Sequence, residues 1–294
     1  MTSLPLDWVD AFTDRPFGGN GCAVLHGGAV LDDETCKAVV RETSLVECTF
    51  TGPSDVADVH VRYFLAGGEI PFAGHPTIAT VAALLHRGLV AGETLTLETK
   101  AGIVPIEIDR SVSPPRIVMT QNAPLFGVCP DKALVADAVS LSPSDILGQP
   151  QLVSTGLPCC VTVLKDRAAL ERAVLDPEAL VRLRTAMGRG EAEFAEPFLV
   201  TLEGATAAGD TYARLLLPPP SPPEDPFTGS ATGAMAAYLW SKGLMESPCF
   251  IAEQGHGMGR PGQAQVEVLG PPEAIRGVQV AGQAYVLISG DIHI

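Results

Sequence analysis

No apolar run in this 294-residue chain approaches the ~20 residues that a membrane-spanning helix needs. The opening MTSLPLDWVD has neither the basic nor the apolar stretch of a signal peptide. The 7 cysteines are odd in number and irregularly spaced. Cys159 and Cys160 are adjacent and make no C-x-x-C, and the six histidines lie far from the cysteines. Zinc and a disulfide framework are therefore not expected, and a reducing, cytoplasmic setting fits best. Positive charge is scarce, with 19 Lys and Arg against 34 Asp and Glu for a net −15. Such a surface repels phosphate, so nucleic acid is not an expected partner, and neither is a membrane. Charged residues make up only 18 % against 46 % hydrophobic, which excludes a disordered chain. The length predicts two domains.

What the chain does have is one motif used twice. Residues 71–88 read PFAGHPTIATVAALLHRG and residues 226–243 read PFTGSATGAMAAYLWSKG. Aligned without a gap, they share Pro, Phe, Gly, Thr, Ala, Ala, Leu and the closing Gly. Each copy is a tight turn, a polar residue and an apolar helix ending in a base and Gly. Free N–H groups at a helix N-terminus attract anions. They also supply positive potential to an acidic protein without net charge. Two such units predict a small anionic substrate, a carboxylic acid held between two similar halves.

Alternation predicts strands at 6–12, 22–25, 48–51, 59–65, 95–98, 103–108 and 117–121. Helices are expected at 31–44, capped by Asp32 or Asp33, and at 76–86. The second half repeats the style, with strands near 153, 161–164, 198–202, 212–217, 250, 265–268, 278–280 and 284–288. Helices are expected at 176–187, with Pro177 following an Asp176 cap, and at 231–240. The segment 121–130 is Pro-rich and marks a boundary. Both motif helices are apolar on every side, so each must be buried all round. The prolines of 218–223 form a rigid loop that delivers Glu224 and Asp225 to the second motif.

Candidate chemistry sits at these turns. Gly74 permits close backbone approach, His75 is expected at or near the N-cap, and Pro76 suits the first helical position. His75 either orients a bound acid or is a structural turn residue. In the second motif Ser230 is a good N-cap and Asp225 an acid–base group or a turn initiator. Asn20, in PFGGNGCAV, closes a third such turn, ahead of a strand. Glu47 lies among Val46, Cys48 and Phe50, where a carboxylate has its charged form disfavoured, as suits a general base. From spacing alone, an outward residue on an edge strand is the stronger reading. Residues 254–261, QGHGMGRP, lack the strand–turn–helix setting of a phosphate loop and read as a connection.

Together these segments resemble the PhzF family, the phenazine-biosynthesis-like proteins of the diaminopimelate-epimerase superfamily. PFGGNGCAVL (16–25) is similar to the family's PF-x-GNP-x-AV, RYFLAGGEIPFAGHPT (62–77) to its R-x-F…E-x-x-x-x-GH-x-T, and EDPFTGSA (224–231) to its EDP-x-TGSA. STGLP (154–158) and QGHGMGRP also fit. The resemblance implies an α+β fold of two pseudo-symmetric domains, each a barrel-like mixed sheet around a central helix. The expected division is 1–120, completed by a strand at 280–294, and 121–279. It implies a homodimer and a proton shift without cofactor or metal, as in the isomerisation of trans-2,3-dihydro-3-hydroxyanthranilate. The family's catalytic Glu matches Glu47, which reverses the spacing argument; its His matches His75 and its Asp matches Asp225. Its helix-end donors match Gly74, Gly229 and Ser230, and Asn20 falls in its GNP. The family's S-E-T is Val46-Glu47-Cys48 here, so the hydroxyls beside the base are lost. Two alternatives follow. Thiol racemases of the superfamily carry a Cys before the Gly of each motif, where this chain has Ala73 and Thr228. A non-catalytic binder of small acids would keep the fold without turnover.

Overall fold

The computed structural model describes residues 2–190, 193–219 and 221–294. Pro220, within the proline run at 218–223, lies outside them. The chain divides into two compact units: residues 1–120 with 281–294, and residues 121–280.

The elements of the first unit are β1 (Ser3–Ala11), β2 (Asn20–His26), α1 (Asp33–Thr43), β3 (Glu47–Gly52), β4 (Val59–Leu65), β5 (Gly68–Ile70), α2 (Gly74–His86), β6 (Thr94–Thr99), β7 (Gly102–Asp109) and β8 (Arg116–Gln121). The second unit contains β9 (Leu125–Phe126), α3 (Lys132–Ala138), β10 (Ile146–Ser154), β11 (Pro158–Leu164), α4 (Arg167–Arg172), α5 (Pro177–Ala186), β12 (Pro197–Thr201), β13 (Thr211–Leu216), β14 (Glu224–Asp225), α6 (Gly229–Ser241), β15 (Cys249–Gln254) and β16 (Gly262–Leu269). Strand β17 (Gly277–Gly282) ends it, and β18 (Ala284–His293) returns to the first unit along β1.

The same pairing scheme runs through each unit. In the first, β1–β2 is antiparallel, β2–β3 parallel, β3–β4 and β4–β5 antiparallel, β4–β6 parallel and β6–β7 antiparallel. In the second, β10–β11, β11–β12, β12–β13, β13–β14, β13–β15 and β15–β16 follow in the same senses. Each unit is thus a mixed sheet wrapped on one central helix, α2 or α6. Both helices are buried from the first residue through the eleventh, Gly74 to Leu84 and Gly229 to Leu239.

The sheet residues sort by face. In the first unit, Ala23, Leu25, Cys48, Phe50 and Phe64 pack with Cys36, Val39 and Val40 of α1. The opposite face meets α2: Tyr63 Oη lies 2.8 Å from Thr77 Oγ1, and Thr80 Oγ1 donates to Thr49 Oγ1 at 2.9 Å. With helices on both faces, β2 is buried at every position, and its sequence is accordingly apolar rather than alternating.

An arginine clamp recurs at the same place in each unit. Arg62 pairs with Glu69 and reaches the carbonyls of Ala29 and Leu31; Arg214 pairs with Glu224 and reaches those of Leu170, Glu171 and Ala173. Each Glu stands five residues before the Gly that opens the central helix. The strand–turn that aims the helix is therefore pinned to the connection behind it. A planar five-donor fork does this, which Lys would not reproduce.

Candidate active site

Both motif helices start two residues earlier than the Pro and Ala positions suggested. The N-caps are Ala73, whose φ of −148° and ψ of 140° are extended, and Thr228. His75 and Ser230 are each the second helical residue rather than the cap, and Pro76 is the third. Neither N-cap side chain caps its helix. Among the described residues, the other four α-helices are all capped by a carboxylate, from Asp32, Asp131, Asp166 and Asp176. The backbone donors of Gly74, Gly229 and Ser230 thus lie in first turns without a carboxylate cap, as an anion site requires.

In the first unit, Glu47, His75 and Asn20 come together. Glu47 opens β3, beside Cys22 of β2 in parallel register, with a side chain 13 % exposed. β3 is not an edge: β2 and β4 flank it, so Glu47 is not the outward residue that spacing alone favoured. Its Oε2 stands 3.7 Å from His75 Nδ1. Asn20 Nδ2 lies 3.1 Å from the same nitrogen.

The turn that presents Asn20 is tightly folded. Phe17 N–H donates to Asp10 Oδ2 at 2.8 Å, and both Phe12 and Phe17 have positive φ. Gly19 has φ +52°, and a Cβ there would stand 1.9 Å from the Ala11 carbonyl oxygen. Backbone cannot give way as a side chain would. Gly19→Ala is expected to cost about 2–4 kcal/mol of stability, at the upper end of single substitutions. Urea titration checks this; an unchanged midpoint would contradict it.

Cys48 follows Glu47 in sequence but faces α1, across the sheet from Glu47 and α2. Its Sγ lies 3.5 Å from Thr43 Oγ1, and burial pushes the thiol up to about 11. A buried protonated thiol on the far face is a core residue and not a base. Cys48→Ala is therefore expected to keep turnover while lowering the melting temperature. Loss of turnover in a folded Cys48→Ala protein would show otherwise.

The second unit holds the other candidates. Asp225, on β14, is 4 % exposed and accepts from Thr228 Oγ1 at 2.5 Å. Gln254, the last residue of β15, closes the same turn: its Oε1 accepts from Thr228 N–H at 3.0 Å, and its Nε2 donates to the Asp225 carbonyl at 2.7 Å. Behind the first turn of α6, Gln121 Nε2 donates to the Gly229 carbonyl at 2.9 Å, and Thr155 Oγ1 donates to Gln121 Oε1 at 2.6 Å. A Cβ on Gly233 would sit 1.9 Å from that oxygen, so the second motif's Gly makes room for Gln121. Sequence reasoning passed over Gln121, Thr155 and Gln254. Only the STGLP and QGHGMGRP segments marked two of them.

The PhzC-PhzF family profile, phenazine biosynthesis-like protein, matches residues 9–290. The chain belongs to this family. An uncharacterised isomerase of Bacillus subtilis is 32 % identical over 268 residues, covering 88 % of each chain. A PhzF-family phenazine biosynthesis protein of Bacillus anthracis superposes with TM-score 0.88 at 27 % identity, covering 100 % of both chains. A hydroxyproline epimerase of Agrobacterium vitis shares the fold alone, with TM-score 0.66 at 14 % identity over 99 % of this chain and 91 % of its own. As a PhzC-PhzF protein the chain is an enzyme of the isomerase and epimerase kind. Among the described residues, no helix is long and apolar enough to cross a membrane.

Proposed function

We propose that this PhzC-PhzF protein is a cofactor-independent isomerase that moves a carbon-bound proton on a small carboxylic acid, with Glu47 as the general acid and base. The observation that carries the reading is the cluster at the start of α2. A largely buried carboxylate stands 3.7 Å from an imidazole that Asn20 orients, where the helix N-terminus has no carboxylate cap. In each unit by itself the first-turn amides, of Gly74 in α2 and of Gly229 and Ser230 in α6, are donors suited to a carboxylate. Each helix end favours such a charge by ~0.3–1 kcal/mol when exposed and up to ~2 when partly buried.

In this reading Glu47, as carboxylate, takes a proton from the carbon whose acidity the bound acid or its conjugated double bond raises. The electron pair left on carbon shifts through the double bond. Glu47, now protonated and able to exchange that proton with solvent through its 13 % exposed side chain, delivers a proton to another carbon on the same face. His75, 3.7 Å from Glu47, steers the proton during the shift, and Asp225 is the candidate acid–base group of the second unit. A positioned acid–base group contributes ~10²–10⁴-fold to such a step. The substrate class we favour is a cyclic dihydroaromatic acid such as trans-2,3-dihydro-3-hydroxyanthranilate, on resemblance to the family's best-known reaction.

An epimerase of amino acids is the second reading, favoured by the shared fold of the hydroxyproline epimerase. Two-thiol chemistry is disfavoured, because Ala73 and Thr228 stand before the two motif glycines and Cys48 faces α1. Product analysis of the wild-type reaction separates the readings. Dihydro-hydroxyanthranilate and a set of L-amino and hydroxy acids are incubated with enzyme and resolved by NMR and chiral chromatography. A double-bond isomer supports the proposal. An epimer supports the second reading, and unchanged acids throughout refute both.

A further inference from the structure

The hydrogen bonds around β14 assign a task to the QGHGMGRP segment, which reads from sequence as a bare connection. Gln254 is 1 % exposed and uses both ends of its amide on one turn. Oε1 takes the Thr228 N–H at 3.0 Å, while Nε2 gives to the Asp225 carbonyl at 2.7 Å and lies 3.2 Å from Thr228 Oγ1. Thr228 Oγ1 in turn donates to Asp225 Oδ2 at 2.5 Å. The carboxylate of Asp225 is thus oriented by Thr228, and Thr228 by Gln254.

The loop after Gln254 braces the same turn. Gly255 has φ +82°, and a Cβ on it would stand 2.3 Å from the Arg260 carbonyl oxygen and 2.5 Å from that of Pro226. Only Gly lets the loop lie so close to the Asp225–Thr228 backbone. The loop closes on itself through Met258 N–H and Arg260 N–H, both donating to the Gly255 carbonyl, and Gly257 N–H donates to Tyr212 Oη at 3.0 Å.

The internal repeat supplies a control within the molecule. EIPFAG at 69–74 corresponds to EDPFTG at 224–229, so Ile70 occupies the place of Asp225. The six residues of β6 correspond to β15, which pairs Thr99 with Gln254. Thr99 donates to the Gly102 carbonyl within its own hairpin, and β6 and β7 are joined by Lys100 and Ala101 alone. The copy with an apolar residue has neither the amide clamp nor the seven-residue brace at 255–261. The copy with the carboxylate has both. A purely structural hairpin would serve either copy equally.

We propose that Gln254, backed by the loop 255–261, is a positioning residue that fixes Asp225 and Thr228 at the mouth of α6 for proton transfer. This rests on the reading of Asp225 as part of the isomerase chemistry.

Gln254→Met keeps the buried volume and removes all three hydrogen bonds; Gln254→Glu keeps an acceptor for the Thr228 amide and removes the donors. Two quantities are read for each folded variant: amide hydrogen exchange at Thr228 by NMR, without any substrate, and the kinetics of carbon-bound proton exchange. In Gln254→Met the Thr228 amide is expected to exchange at least about 10-fold faster, for one lost hydrogen bond, with the interior amides of α6 unchanged. In Gln254→Glu that amide stays protected. In both variants kcat is expected to fall by about 10²-fold, the scale for a misplaced catalytic group, with KM changed far less. Should Met fail to fold, Glu alone decides by the fall in kcat. An unaltered Thr228 amide in a folded Met variant overturns the clamp. Faster exchange with unaltered kcat overturns the catalytic role. Silence of the wild type toward every acid in the panel is the separate failure of the isomerase reading, and the amide measurement still judges the clamp.

Discussion

Glu47→Gln is expected to lower the rate of carbon-bound proton exchange by about 10²–10⁴-fold, the usual contribution of a positioned acid–base group. Gln has the same length and fits the slot at the start of β3, so the fold and its melting temperature should persist. The acid should still bind, because the first-turn amides of α2 beside Glu47 remain. The loss belongs in kcat, since the carboxylate acts on the reacting proton and not on the substrate's own charge. Steady-state kinetics with calorimetric binding checks both halves. A variant that binds no acid would mean that Glu47 serves the site's shape rather than its chemistry.

Asp7→Asn is expected to cost about 3–5 kcal/mol of stability, the scale for breaking a buried pair by removing one partner. Asp7 of β1 is fully buried, and four contacts converge on its carboxylate. Arg87, at the C-terminal cap of α2, donates from Nε at 2.6 Å and Nη2 at 2.9 Å; Ser289 of β18 donates at 2.6 Å; and His26 Nε2 lies 2.8 Å away. One carboxylate therefore ties the far end of the central helix to three strands. Burial acts to raise Asp7, but the hydrogen bonds from Arg87, Ser289 and His26 outweigh it and hold the carboxyl below its ordinary value. Burial pushes His26 down, with Asp7 opposing only in part.

Both shifts work in one direction with pH. The folded chain resists protonating His26, so stability begins to fall as pH drops below about 6.5, the ordinary histidine value. Asp7 contributes its full share above about 3.9, the ordinary aspartate value, and loses it as pH falls through the depressed folded one. Urea midpoints measured from pH 8 to pH 3 should decline in wild type, and in Asp7→Asn the portion of that decline below about 4 should flatten. Equal midpoints for the two proteins at pH 7 would contradict the network's importance.

The strands were legible because alternation and β-branched runs carry a local signal; Val59–Leu65 appears residue for residue. The two central helices were legible from their unbroken apolar character, which only a surrounding sheet can bury. Their starts were not: α2 has an Ala N-cap before Gly, with no capping signal at all, and in α6 the signal of Ser230 lies two residues inside the true start, whose N-cap Thr228 gives its hydroxyl to Asp225 instead. The short helices α3 and α4 escaped notice, although Asp131 and Asp166 cap them as Asp32 caps α1. Two-residue β14 has no periodicity to read at all.

The candidate site divides the same way. His75 and the turn glycines announce themselves by the repeat, and Asp225 by the Asp-Pro that leads into its second copy. Glu47 does not, because whether a strand lies at an edge is set by partners that arrive from β2 and β4, far along the chain. Gln254 is invisible for the same reason: its three hydrogen bonds reach back 26 and 29 residues. Motif resemblance pointed to Glu47 where local pattern favoured an edge residue, but it supplied no role for Gln254.

Proton NMR in D₂O, with wild type and Glu47→Gln run side by side on the same panel of carboxylic acids, tests the central claim most directly. The account predicts that wild type alone replaces a carbon-bound proton of one acid with deuterium. Equal exchange by both proteins would contradict it and remove Glu47 from the role of base.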